Sequence, residues 1–280
     1  MALMTLREIL NLGKGVPAFD VFDTNMTEGV LKAAVELNAP VILMAYEEHM
    51  KLFDLNTVKT FANMIKAKAE NLPIPVVIHL DHGKDVAFIK ECIYAGFSSV
   101  MFDGSTLSLE ENAKITKELV DIAKSRFVSV EAEVGKVGSD TGGVETIYTS
   151  PHDAVWFAKE TGIDALAVSV GTTHGVYLKE AKINFELTSQ IDQALKEDNL
   201  PTKLVLHGGS GTPPKDLIEL VKRGIRKVNI GTDLNKAYLS ALSDTKSIYL
   251  EDVFPKAIEK VKEMAKKYIE IIYYQKEVSL

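Results

Sequence analysis

The stretch "HLDHG", residues 79–83, sets two imidazoles and a carboxylate at the end of a short apolar run, Pro75–Ile78. A buried strand has no packing reason to finish this way. Imidazole nitrogens ligate metals and exchange protons near neutral pH, and an adjacent carboxylate can carry a proton for a reacting group. Other residues able to do such chemistry are spread along the chain: Asp103, Glu131, Glu133, His174, His207 and Asn229. Two glycine-rich stretches, "HGGSG" (207–211) and "NIGTD" (229–233), offer backbone N–H groups that could approach an anion closely.

These residues gain meaning from the elements that carry them. Short β-branched runs near Val16–Phe19, Val41–Ala45, Val76–Leu80, Ser99–Phe102, Val128–Glu133, Ala165–Val170, Leu204–Leu206 and Lys227–Ile230 read as strands. Amphipathic segments lie between them, among them Thr57–Asn71, Leu109–Lys124, Pro151–Thr161 and Pro214–Arg223. Ser150-Pro151 and Thr212-Pro213-Pro214 look like helix starts. Eight strand–helix units imply an α/β fold, a TIM barrel in one domain, with a doubly wound open sheet as the rival. The aliphatic, charged tail Val253–Tyr274 reads as a helical extension, from about residue 245 to 280, rather than a second domain.

In a barrel the strand C-termini converge on one face, where such folds keep their active sites. Asp81, His82, Asp103, Glu131, Glu133, His174, His207 and Asn229 would meet there. Three converging imidazoles with an open position match catalytic zinc, with His82, His174 and His207 as ligands. His79 would point into a lower layer and support the site, whereas His49 and His152 fall on surface segments with no chemical role. The two glycine-rich loops follow strands seven and eight, a common place for a phosphate.

Composition bounds the partners. The chain has 280 residues, 46% hydrophobic content and a formal charge of −7. That balance disfavours nucleic acid or an anionic membrane and leaves a small anionic substrate open. The single cysteine, Cys92, excludes an internal disulfide and suits a reducing compartment. With no secretion signal or long apolar run, a cytoplasmic protein is expected.

Five ordered motifs, "IHLDHG", "SVEAEVG", "LAVSVGTTHGVY", "LVLHGGSG" and "VNIGTDLN", resemble the class II, zinc-dependent ketose-bisphosphate aldolases, nearest the fructose- and tagatose-bisphosphate branch. The resemblance implies reversible cleavage of a phosphorylated ketose to dihydroxyacetone phosphate and an aldehyde. It implies zinc on His82, His174 and His207, Asp81 as the catalytic acid–base, and Asp103 and Glu133 near a secondary metal position. Gly175, Gly208, Gly209, Ser210, Asn229, Ile230, Gly231 and Thr232 would hold the phosphorylated ketone half, with a sodium or potassium ion on nearby glycine carbonyls. A homo-oligomer, dimer or tetramer, is also implied.

The sequence departs from that pattern in places. Loop 135–148 lacks a run of adjacent acids, leaving Asp140 and Glu145 as candidates for moving the carbon-bound proton. Tyr46, Glu47 and Glu48 bring bulk and charge after strand two, and Asp20 and Asp23 stand where asparagines are usual. No arginine follows Arg226; Lys256 lies nearest the expected place. These departures suggest a ketose 1-phosphate cleaved at least as well as a 1,6-bisphosphate. A barrel that binds phosphosugars with reduced turnover is the alternative.

Overall fold

The computed structural model describes residues 3–53, 55–139, 143–178, 181–244 and 246–280. Eight strands pair in parallel, each with the next, and the last pairs with the first to close a barrel. They are β1 (Val16–Asp20), β2 (Val41–Tyr46), β3 (Val76–Gly83), β4 (Ser99–Phe102), β5 (Ser129–Val134), β6 (Ala165–Val168), β7 (Lys203–Leu206) and β8 (Ile225–Ile230). The helices are α1 (Leu6–Leu10), α2 (Thr24–Glu36), α3 (Glu47–Met50), α4 (Thr57–Ala69), α5 (Val86–Ala95), α6 (Leu109–Lys124), α7 (Pro151–Thr161), α8 (Phe185–Glu197), α9 (Pro214–Lys222), α10 (Thr232–Ser243) and α11 (Leu250–Ile272).

Strand pleating divides the core in two. Val76, Ile78 and Leu80 pack outward among the helices, whereas Val77 packs in the bore. At the bore's N-terminal end α1, which no periodicity announced, inserts Leu6, Ile9 and Leu10 against Val16, Ile42 and Met44. A capping box between Thr5 and Glu8 secures this short helix. The bore is therefore plugged below, and any ligand enters at the strands' C-terminal rim.

Strand boundaries depart from the periodic reading where the rim begins. β6 stops at Val168 because Ser169 pairs instead with Thr149: its N–H donates to Thr149 Oγ1 at 2.8 Å, and its carbonyl accepts from the Thr149 N–H at 3.0 Å. β3 runs on to Gly83 through a bulge, in which two residues, Asp81 and His82, oppose one, Met101, on β4. Ser150 caps α7 as expected, but Thr212 does not cap α9. Pro213 precedes that helix, and Thr212 Oγ1 bonds the Gly208 carbonyl at 3.0 Å.

The terminal helix α11 buries Val253, Ala257, Val261, Ala265, Tyr268 and Ile272 at three- and four-residue spacing. It lies against α2 so closely that a Cβ on Gly29 would fall 2.8 Å from the Ile258 carbonyl. Its apolar stripe joins the same core cluster as the strands.

Candidate active site

Adjacent strand residues normally face opposite ways, so Asp81 and His82 should not share a site. The β3 bulge resolves this. His82 adopts φ +44°, a left-handed conformation a non-glycine residue holds only under local constraint. That turn swings His82 back toward the bore, and both residues line a cavity of about 610 Å³ at the rim.

Ligand-capable atoms of His82, His174 and His207 lie within 4.8 Å of one another. His174 arrives from the loop after β6, which is anchored where the His174 N–H donates to the Gly138 carbonyl at 2.8 Å. His207 follows β7. Nε2 of His174 and Nδ1 of His207 are buried with no hydrogen-bond partner, a costly state unless something fills it. Burial, followed by the neighbouring His82, holds His174 down to about 3 and His207 well below the usual imidazole range. Neutral imidazoles with orphan lone pairs suit a divalent ion. Burial opposes a charge on His82, yet the Asp81, Asp103 and Glu133 carboxyls outweigh it and lift His82 to about 10.

The carboxyls divide by environment. Asp81, 3% exposed, accepts from Asn229 Nδ2 at 3.0 Å. Asp103 is bonded to His82 Nδ1 at 3.0 Å and accepts from the Ser105 hydroxyl at 2.7 Å; despite burial these hold it low. Glu133 accepts from the Val137 N–H at 3.1 Å, and burial pushes it up to about 7. With His82, Asp103 and Glu133 form a second group within 4.8 Å. A third group lies deeper, His79, Asp81 and Glu131.

The glycine-rich loops meet the same cavity. Gly175, Gly208, Ser210, Asn229, Gly231 and Thr232 line it, whereas Gly209 and Ile230 do not. The Gly209 N–H is engaged by the Asn229 carbonyl at 3.0 Å, and Ile230 packs outward. Helix α10 starts at Thr232 with no cap from Gly231; the Asp233 N–H donates to Ser210 Oγ at 3.3 Å, and the helix's positive dipole end faces the cavity. Gly208, at φ +70°, has no room for a Cβ, which would sit 2.3 Å from the Thr173 carbonyl.

Several expected residues lie elsewhere. Glu47 is 5% exposed and turned out of the cavity, its carboxylate accepting from the backbone N–H groups of Lys84 (2.6 Å) and Asp85 (3.0 Å) and pairing with Lys51. Tyr46 and Glu48 do line the cavity, and Lys84, also on its wall, pairs with Glu48 at 2.9 Å. Lys256 is exposed and off the cavity wall. Glu145 is exposed and off it too, and Asp140 lies outside the described residues. Asp23 has a structural task, capping α2 through the Asn25 and Met26 N–H groups. His49 is not on the surface: it is 6% exposed and stacks against Phe22 and Tyr46. His152 is exposed, as expected.

Two residues were missed, and Asp20, noted only as a departure, had been given no role. Asp20 lines the cavity, its carboxyl raised well above the usual range by burial and then by Asp81. Lys136 lines it as well. Lys227 lies beneath the site, fully buried, with Nζ 2.9 Å from Glu131 Oε2. A lysine two residues before Asn229, and so on the same strand face, was the available signal.

The sequence profile described as "Fructose-bisphosphate aldolase class-II" matches residues 4–276. A fructose-bisphosphate aldolase from Geobacillus stearothermophilus is 38% identical over 253 residues, 87% of this chain and 86% of that protein. A sulfofructosephosphate aldolase from Alkalicoccus urumqiensis is 34% identical, covering 82% and 79% respectively. Among solved structures, the YdjI aldolase from Escherichia coli K12 superposes with a TM-score of 0.85 at 31% identity, covering 96% of this chain and 97% of that one.

Proposed function

This chain belongs to the class II fructose-bisphosphate aldolase family, and we propose that it is a zinc enzyme cleaving a phosphorylated ketose reversibly to dihydroxyacetone phosphate and an aldehyde. The observation that carries the reading is the convergence of His82, His174 and His207, two of them with orphaned buried nitrogens, beside Asp81. Zinc held by these three would act as a Lewis acid toward the ketone and the charge left on it by cleavage. His82 with Asp103 and Glu133 offers the secondary position.

Asp81 takes the proton from the hydroxyl next to the breaking carbon–carbon bond and returns it in the condensation direction. Asn229 fixes its orientation by donating to one oxygen and leaves the other for the substrate. The phosphate of the ketone half rests on the α10 N-terminus, with N–H groups of Gly231 and Thr232 and the hydroxyls of Ser210 and Thr232. A sodium or potassium ion would sit at the glycine carbonyls of this corner. Gly208 is the least free of them, since its carbonyl already accepts from Tyr177 and Thr212.

The aldehyde half meets Tyr46, Glu48, Lys84 and Lys136. With Glu47 turned away and Glu48 paired to Lys84, the charge argument against a second anion is weaker than the sequence suggested. Two solvent-accessible lysines nonetheless contribute only ~0.2–1 kcal/mol each, without the two-pronged geometry of arginine. A ketose 1-phosphate therefore remains a competent substrate beside a bisphosphate.

We also take residues 1–280 as one aldolase domain acting in the cytoplasm, and as a dimer or tetramer. Exposed Leu239, Ile248, Tyr249 and Leu250, where α10 meets α11, are suited to a subunit contact. Among the described residues no helix is long and apolar enough to cross a membrane.

Replacing Asp81 with alanine tests the assignment of the proton carrier. Zinc content should stay at the wild-type value while turnover falls by about 10²–10⁴. A fall of less than tenfold would move the role to another group, with Glu133 the next to replace.

A further inference from the structure

Below the histidines lies a second donor set that nothing in the reaction uses as a metal site. His79 Nε2 is 3.6 Å from Glu131 Oε2 and 3.9 Å from Asp81 Oδ1, and the three residues are at most 3% exposed. Nε2 of His79 has no hydrogen-bond partner, since Ser99 Oγ, at 2.8 Å, engages the other ring nitrogen. Donors about 2.0–2.1 Å from a tetrahedral ion stand roughly 3.3 Å apart. To share an ion, His79 would close on Glu131 by roughly 0.3 Å and on Asp81 by roughly 0.6 Å.

Lys227 stands in the way. It crosses the bore from β8, fully buried, with Nζ 3.1 Å from Glu131 Oε1 and 2.9 Å from Oε2. Resting on the reading that the three histidines bind the catalytic ion, we propose that Lys227 is a built-in cation that closes the inner set to metal and keeps the ion at the rim. An ammonium straddling both Glu131 oxygens and a divalent ion on the same carboxylate would repel strongly where water cannot screen them.

Two consequences make the closure useful. Asp81 belongs to both places, and as an inner ligand it could no longer carry a proton. Glu131 Oε1 also lies 3.1 Å from His207 Nε2, so it holds that nitrogen and turns the unpartnered Nδ1 toward the rim, as carboxylates behind metal-bound histidines do. A buried ion pair by itself contributes little net stability against a neutral pair of similar volume. Simple packing therefore does not account for a lysine at this point.

The test counts metal. Wild type, Lys227→Met, Lys227→Gln and the Lys227→Met/Glu131→Gln double variant are stripped, loaded with zinc, dialysed and assayed for tightly held zinc per chain. Both single variants should hold one equivalent more than wild type, and the double variant should lose it again. Single variants with wild-type count and affinity would overturn the proposal. Should Lys227→Met or Lys227→Gln fold only with zinc present and carry the extra equivalent, the proposal stands; failure of both to fold even with zinc would refute it. A wild type that holds no zinc would instead overturn the histidine assignment, a separate failure.

Discussion

Two walls of the same cavity were built in different ways. The wall from β3, β4, β5, β7 and β8 places chemically capable residues on strands or at their first step out, and they bond chiefly to one another: Asp81 to Asn229, His82 to Asp103, His207 to Glu131. The wall from β2 and α3 passes into a helix at Glu47. There the pleat no longer aims side chains, and Glu47 and Glu48, adjacent in sequence, part company. One becomes a buried brace for the backbone of residues 84 and 85, and the other an exposed partner of Lys84. The capable residues gather on strands, at the bulge in β3, or on the loops just beyond the strand ends; where the chain turns into α3, charge serves structure or solvent.

This contrast is open to direct attack. The largest effect belongs to the strand wall: His174→Ala or His207→Ala should lose tightly bound zinc and nearly all turnover, while Glu48→Gln should change kcat/KM by less than about fivefold, the range of an exposed ion pair. Zinc content measured beside steady-state rates decides it, and a His207→Ala protein with wild-type zinc and rate would erase the distinction. Glu47→Ala should behave as a structural lesion, costing roughly 0.5–1.5 kcal/mol because two part-buried backbone N–H groups lose their acceptor. Denaturant melts should show that loss while bound zinc is unchanged; normal stability with impaired catalysis would place Glu47 in the site after all.

Asp20 sits at the seam between the walls and gives a pH signature. Its folded pKa is raised by burial and Asp81, so the folded state holds the proton more tightly than the unfolded chain, and stability is lost as pH rises above the unfolded value of 3.8. Asp20→Asn removes this penalty. The variant's stability advantage in the metal-free protein should therefore grow from pH 4 toward pH 8, by up to ~1.4 kcal/mol per unit until the folded pKa is passed. An advantage that does not change with pH would mean that Asp20 is ionised throughout. The smallest effect is expected at the aldehyde end, where the bisphosphate-to-monophosphate ratio of kcat/KM should stay below about thirtyfold, ~2 kcal/mol. A ratio above a hundredfold would reveal a dedicated second anion site.

Most of the architecture could be read from periodicity, because each strand's apolar run must face helices on one side and the bore on the other. The convergence of His82, His174 and His207 was legible for the same reason, as unusual residues near strand ends. What escaped depends on local geometry that spacing does not encode. The bulge at His82 alone decides that it joins Asp81 on one face. The Gly209 N–H, assigned to phosphate from its motif, is engaged by Asn229 instead. Lys227 was hidden because a buried lysine is visible only through its partner, and Glu131 lies on β5, ninety-six residues earlier in the chain. His49 was placed on a surface segment, yet its contacts with Phe22 and Tyr46 hold it inward.

Metal at His82, His174 and His207 should make this barrel a working aldolase rather than a phosphosugar-binding relic. The most direct measurement is the release of dihydroxyacetone phosphate from fructose or tagatose 1,6-bisphosphate by native, chelator-stripped and zinc-restored protein, with circular dichroism recorded on each. Turnover is expected in the native protein, with its loss on stripping while the fold is retained and its return with about one zinc per chain. Turnover that survives complete metal removal, or a zinc-loaded protein that binds dihydroxyacetone phosphate yet cleaves neither ketose bisphosphate nor ketose 1-phosphate, would contradict that expectation.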